Sequence, residues 1–316
     1  MQFWPRTQAE RIYPAVKSWD FAQDHKILAF AGYKVGMTHL VYTDSYKFSQ
    51  TKGQDIAIPI TILECPPIKV MSVKFYTKDA YGLHSAGQLN TLKQDKELAR
   101  KLTVAKKAPK DAKEFERKIA DYADIRLIVH TQPSLTQIGQ KRPEVFEIGL
   151  GGTVQEKFAF ALDKLGKEIS LKDVFKDGEM IDVHGVTKGK GLQGPVKRFG
   201  VSIRQHKAEK TKRGPATLGP WNPHNGNFRV PHQGQMGYHT RTEINKWIVK
   251  IGNKGEDVNH KGGNDHYGTV KNDYVFIKGS VAGPAKRLLV LTAASRPNKK
   301  EQTEPANIQM IALRGK

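Results

Sequence analysis

A mainly β fold, interrupted twice, is what this sequence predicts, and three observations predict it. Short runs of β-branched and aromatic residues bounded by Gly, Pro and Asp lie near both ends of the chain. They read "ILAFAGYKVGMTHLVYTD" and "DIAIPITILECPPIKVMSVKFYTKD" early, and "EINKWIVKIG" and "YVFIKGSVAGPAKRLLVLTA" late. Helical spacing of apolar residues is confined to the middle. A third stretch, between the middle and the late strands, follows neither period because glycine and proline interrupt it throughout. Strands early and late with other material between them describe one β domain split by insertions.

Taken in order, residues 1–23 mix Trp4, Tyr13 and Trp19 with Arg6, Arg11 and Lys17 and include Pro5 and Pro14, which predicts an extended arm that docks on something. Residues 24–78 supply the first strands. Residues 79–177 read as a mixed α/β insertion. Asp111 and Glu114 resemble a capping box, with Phe115, Ile119 and Tyr122 following at helical spacing. "IRLIVH" reads as a strand. Thr153 and Glu156 open a second helix, with Phe158, Leu162 and Leu165 on one face and Gly166 as its stop. "SLKDVF" adds a third, short one before strand character returns at "EMIDVHGVT" and residues 178–183. Residues 184–242 form a basic, glycine-rich extension, residues 243–295 complete the β domain, and residues 296–316 are a tail.

The chain has 316 residues, 38% of them hydrophobic, enough for a sizeable core. Its net charge of +21 points to a polyanionic partner, with nucleic acid foremost. An anionic membrane surface would call for a basic amphipathic helix, and none is evident. The single cysteine, Cys65, reads as a small buried hydrophobe, and a lone thiol forms no internal disulfide. No apolar run approaches the roughly 18 residues of a membrane span. The opening stretch lacks the apolar segment of a secretory signal. The expectation is a cytosolic protein.

The extension concentrates the charge. It holds Lys188, Lys190, Lys197, Arg198, Arg204, Lys207, Lys210, Lys212, Arg213, Arg229 and Arg241 against one acid, Glu209, and ten of the 29 glycines. Long structureless segments are uncommon in a compact domain unless they are functional or bound. "GKGLQG" matches the dinucleotide fingerprint, but Pro195, Lys197, Arg198 and Gly200 follow where a helix should open, and lysine stands where a ribose-binding acid should be. Gly189, Gly191 and Gly194 have another use, letting backbone N–H groups approach phosphates. His184, His206, His224, His232 and His239 are spaced too widely for a metal site, so no metal and no cofactor are expected. No nucleophile–base set or paired carboxylates suggest catalysis. Trp221 stands in "LGPWNP", among residues that build no core of their own. Two readings remain for its ring: stacking on unpaired bases, which the composition favours, or folding back onto the β domain.

The stretches "FAGYKVGMTHLV" (30–41), "TILECPPIKV" (61–70), "DVHGVTKGKGLQGPVKRFGV" (182–201), "LGPWNP" (218–223), "GQMGYHTRTEINK" (234–246) and "YVFIKGSVAGPAKRL" (274–288) together resemble the large-subunit ribosomal protein L3 family in its archaeal and eukaryotic form. The resemblance implies a translation-protein-like, six-stranded Greek-key β barrel carrying an α/β insertion. It also implies a central extension threading ribosomal RNA towards the peptidyl transferase centre, with Trp221, Asn222 and His224 at its tip. The implied role is architectural: no catalysis, early assembly of the subunit, and as partners large-subunit RNA and neighbouring ribosomal proteins, with neither membrane nor small-molecule substrate. A free-standing RNA-binding assembly factor and an RNA-modifying enzyme are the alternatives. Two departures from the family pattern stand out: only three residues precede Trp4 where relatives carry a longer basic arm, and "GPATLG" (214–219) lacks the cations usual before the tip. Lys212, where cytosolic eukaryotic relatives tend to have histidine, points to the archaeal type.

Overall fold

The computed structural model describes residues 4–19, 27–91, 95–104, 112–222, 224–253, 255, 257–298 and 304–313. The first strands are β1 (Ala29–Thr43) and β2 (Asp55–Glu64), rich in the β-branched and aromatic residues that fit a pleated surface. The chain then builds a second sheet from β3 (Ile68–Asp79), β4 (Gly82–Asn90), β5 (Asp124–His130), β6 (Val145–Gly149) and the two-residue β7 (Glu168–Ile169). Helices α1 (Ala112–Arg117) and α2 (Val154–Lys164) lie between these strands. Next come β8 (Met180–Val186), and in the extension β9 (Leu192–Gln193), α3 (Pro195–Phe199) and β10 (Gly234–Gln235). The chain returns with β11 (Thr240–Gly252), β12 (Tyr274–Lys278), β13 (Leu288–Ala293) and β14 (Asn307–Ile311). The last of these falls in the expected tail and pairs with the far half of β1, Leu40 opposite Ile311.

The main sheet is antiparallel throughout, and its pairings form a closed cycle: β1 to β2, β2 to β12, β12 to β11, β11 to β8, β8 to β13, and β13 back to β1. Every strand of the cycle buries apolar side chains, among them Phe30, Ile60, Ile181, Ile248, Phe276 and Leu291. The second sheet runs β4-β3-β5-β6, with β7 on β3. Phe75 on β3 stacks on Phe115 of α1 at 4.5 Å and meets Phe158 of α2 at 6.1 Å. One apolar cluster spans both sheets.

The helix signals read from the sequence differ in outcome. Thr153 and Glu156 form a capping box on α2, Phe158 is buried, and Gly166 follows in the left-handed region at φ +77°. Asp111, expected to open α1, lies outside the described residues, as do residues 20–23 of the arm and Pro223 of the tip motif. "SLKDVF" forms only a 3₁₀ turn, Leu171–Asp173.

Ionic groups inside the second sheet are paired. Lys157, 2% exposed, lies 2.7 Å from Asp124, which also binds the Arg126 Nε at 3.0 Å. Glu147 pairs with Lys74 at 2.7 Å and Glu144 with Lys101 at 2.6 Å. Desolvated charges persist only with such partners. Cys65 is buried, and burial pushes its thiol pKa up, as expected of a thiol used for packing.

Candidate nucleic-acid interface

The extension leaves the main sheet between β8 and β11 on two legs that stay paired for their first turns. The Thr187 amide donates to the His239 carbonyl (3.0 Å), the Lys190 amide to Met236 (2.9 Å), and the Met236 amide to Gly191 (2.9 Å), before β9 pairs with β10. Gly237 makes this approach feasible: its φ is +72°, and a Cβ there would sit 2.1 Å from the Lys188 carbonyl oxygen. At the root, His184 joins three strands by bonding the Thr242 hydroxyl (2.9 Å) and the Thr292 hydroxyl (3.1 Å). Burial pushes its imidazole pKa below the ordinary value, so the ring is held neutral.

The amino-terminal arm straps this root. The Thr7 carbonyl accepts from His239 Nδ1 at 2.7 Å, the Ala9 amide donates to Tyr238, and Arg6 donates to the Arg198 carbonyl at 2.9 Å. Trp4 stacks on Phe199 at 5.7 Å, and the Arg6 guanidinium lies 4.2 Å from the Phe199 ring centroid. Further along, the arm inserts Tyr13, whose hydroxyl donates to Val145, and Trp19, which packs where a Cβ on Gly149 would clash at 2.7 Å. The arm thus joins the extension root to the second sheet. The mixture of aromatic and basic residues in 4–19 was its only signal in the sequence.

A helix does open after Gly194, contrary to the sequence reading. Proline at the first helical position loses no hydrogen bond, so Pro195 starts α3 instead of preventing it, and Gly200 ends it after five residues at φ +70°. Two-residue β9 is antiparallel to β10 and belongs to no β-α-β unit, so the dinucleotide fingerprint still lacks its context.

Beyond Gly200, the described residues of 201–233 form neither strand nor helix. Arg204 clips one bend by donating to the Pro215 (2.8 Å) and Ala216 (3.2 Å) carbonyls. Trp221 is 83% exposed, with the His224 ring edge-on at 4.4 Å, and Asn222 and His224 are exposed beside it. The indole therefore does not fold back onto the β domain. Ile203, Leu218 and Phe228 are exposed on the same projection.

The cations divide by job. Lys188, Lys190, Lys197, Arg204, Lys207, Lys210, Lys212, Arg213 and Arg229 are exposed and form no ion pair among the described residues. Arg229 lies 5.5 Å from the Phe228 ring centroid. Arg198 and Arg241 are half-buried. Arg198 holds the return leg through the Gln235 (3.0 Å) and His232 (2.9 Å) carbonyls, and Arg241 donates to the Thr240 carbonyl. Burial, and then the charge of Arg6, push the pKa of both guanidinium groups down. Of the glycines, Gly189 and Gly191 are exposed but flank amides already used between the legs, while Gly194 caps α3. His206, His224 and His232 are exposed, whereas His184 and His239 serve the root. Among the described residues no three His, Cys, Asp or Glu gather as metal ligands would. No helix among them is long and apolar enough to cross a membrane.

The family described as "Ribosomal protein L3" has a model that matches residues 1–312. The chain is 47% identical over 315 residues to the large ribosomal subunit protein uL3 of Methanothermobacter thermautotrophicus, across 96% of this chain and 92% of the relative. It is 46% identical to the uL3 of Methanosphaera stadtmanae, again across 96% and 92%, and 44% identical to that of Archaeoglobus fulgidus, across 95% and 91%.

Proposed function

The chain belongs to the ribosomal protein L3 family, and from that premise we propose that it is an architectural, non-catalytic component of the large ribosomal subunit that binds ribosomal RNA through residues 184–242. One observation carries the reading: nine exposed cations without ion-pair partners among the described residues sit on a projection that has no core of its own. Such a density of like charge is favourable only beside a polyanion, whose condensed counterions it releases. Phosphate contacts from these cations position the extension, and Trp221 offers its indole face to unpaired bases near the peptidyl transferase centre. Arg198 and the arm act as struts that aim it. The closed cycle of six antiparallel pairings is read as the six-stranded Greek-key barrel of this family, with 68–177 as its α/β insertion. Ile68–Asp79 pairs only within the second sheet, so the expected start at 79 falls too late. The subunit's early assembly, the neighbouring proteins as further partners and the cytoplasm as location belong to the same reading.

The test compares the unaltered chain with one carrying Lys188→Ala, Lys190→Ala and Lys197→Ala. Binding of the unaltered chain to large-subunit RNA weakens steeply with salt. The triple variant lowers the slope of log K against log salt by about two, since each phosphate left without its lysine takes about 0.7 from it. In cells the unaltered chain stays with large subunits through a high-salt wash. An unchanged slope removes these lysines from the interface, and release from the subunit in salt favours a transient assembly factor.

A further inference from the structure

The connection from β1 to β2, far along the chain from the extension, is a built loop. The buried Asp44 carboxylate accepts from the Tyr46 amide and the Thr51 hydroxyl, both at 2.9 Å. The Asp44 amide donates to Gln54 (3.0 Å), and the Gly53 amide donates back to Asp44 (2.8 Å). Hydrogen bonding, with Ser49 first, holds the Asp44 carboxyl below the usual carboxylate range, so the frame is charged and fixed at neutral pH. The frame holds Phe48 out, 79% exposed, edge-on to Tyr46 at 5.9 Å and with the Lys47 Nζ 5.9 Å from its ring centroid. Beside it opens a groove of about 400 Å³ whose lining includes Tyr42, Tyr46, Met180, Trp247 and Lys278. Trp247 is buried, and its indole N–H has no acceptor among the described residues. The Lys278 Nζ lies 5.7 Å from its ring centroid.

We propose that this surface is a second dock for single-stranded RNA, separate from the extension, in which Phe48 stacks on an unpaired base and Lys47, Lys52 and Lys278 hold its phosphates. It rests on the reading that the chain binds RNA. Exposed aromatic rings interleaved with lysines suit a strand that offers flat bases on an anionic backbone. A protein partner is the poorer fit, because lysine is depleted at the centre of protein interfaces. Of the two nearby acids, Asp44 is enclosed by its donors and Asp55 accepts from Thr43, so the patch keeps a positive surplus. Fixing the loop before binding removes the ordering cost that a flexible loop would incur.

The experiment binds the full-length chain to large-subunit RNA transcribed once with 4-thiouridine and once with 6-thioguanosine, irradiates it, and identifies the crosslinked peptides by mass spectrometry. Crosslinks are expected in residues 44–55 as well as in 184–242. Phe48→Ala lowers the yield at 44–55 by about five-fold or more, the loss of one stacked base, while Phe48→Trp retains it. Both variants should melt like the unaltered chain, because Phe48 is outside the core. Crosslinks confined to 184–242 overturn the second dock and leave the functional reading standing, whereas none in either segment removes both. If 44–55 is silent towards RNA but crosslinks chemically to a neighbouring protein in intact subunits, the loop is a protein dock and the proposal is wrong.

Discussion

The second sheet and the extension interrupt the same β domain, and they treat charge in opposite ways. Residues 68–177, which build the second sheet, carry twenty-one basic and fifteen acidic side chains, and those that are buried meet opposite charges there, as Lys157 meets Asp124 and Lys101 meets Glu144. Residues 184–242 carry eleven basic side chains against one acidic, and most are exposed with no ion-pair partner among the described residues. A segment that folds on its own must neutralise what it desolvates. A segment that leaves its cations bare calls for a counter-charge outside the molecule, and that is what the proposed RNA contact would supply. The same residue type is thus paired within the fold in one region and left exposed in the other, and pairing is what distinguishes them.

That contrast can be broken most sharply at Lys157. Lys157→Met takes from the buried Asp124 carboxylate one of its two cationic partners and leaves Arg126. The expected loss is therefore about 3 kcal/mol in urea unfolding, the low end for breaking a buried pair, with no effect on RNA affinity per folded molecule. A loss under about 1 kcal/mol would mean that the second sheet tolerates unpaired charge much as the extension does.

Trp221→Ala tests the other side. The indole is exposed, so unfolding stability should change by no more than about 0.5 kcal/mol. Within the subunit the variant loses a stacking face worth about 1–3 kcal/mol if a base lies against it, read as altered chemical probing of RNA near the peptidyl transferase centre. A melting point lowered by many degrees would make the ring part of the core.

The smallest expected effect lies at the boundary between the two regimes, at His184. Its folded pKa is depressed, so the unfolded state binds more protons, and stability is full above the ordinary imidazole value of about 6.5 and falls as pH drops towards the folded pKa. Urea midpoints at pH 7 and pH 5.5 should differ less in His184→Gln than in the unaltered chain. An equal difference would assign the acid sensitivity to other groups.

Much of this was legible in the sequence where the signal is local. The strands of the β domain announce themselves through β-branched and aromatic runs, and α2 through Thr153, Glu156 and Gly166. The charge of the extension is visible by inspection. What escaped depends on partners distant in the chain. "IKVMSVKFYTKD" reads as one more early strand, yet it pairs only within the second sheet. β14 is five residues in an otherwise unpatterned tail. Arg198 looks like any other cation of its loop until the Gln235 and His232 carbonyls are found against it. Pro195 reads as a breaker, because proline opens a helix and ends one with the same letter.

The arm that straps the extension root also sets an order of events during synthesis. Thr7 waits for His239, a partner 232 residues later. At about 5–20 residues per second that interval is roughly 10–50 s, and Trp4 and Arg6 wait nearly as long for Phe199 and Arg198. The first segment made therefore waits for the return leg of the extension before its last root contact can form. A lesion confined to residues 4–9 would leave the strand pairings of the β domain intact, and would be read as an extension emerging at the wrong angle rather than as a chain that fails to fold.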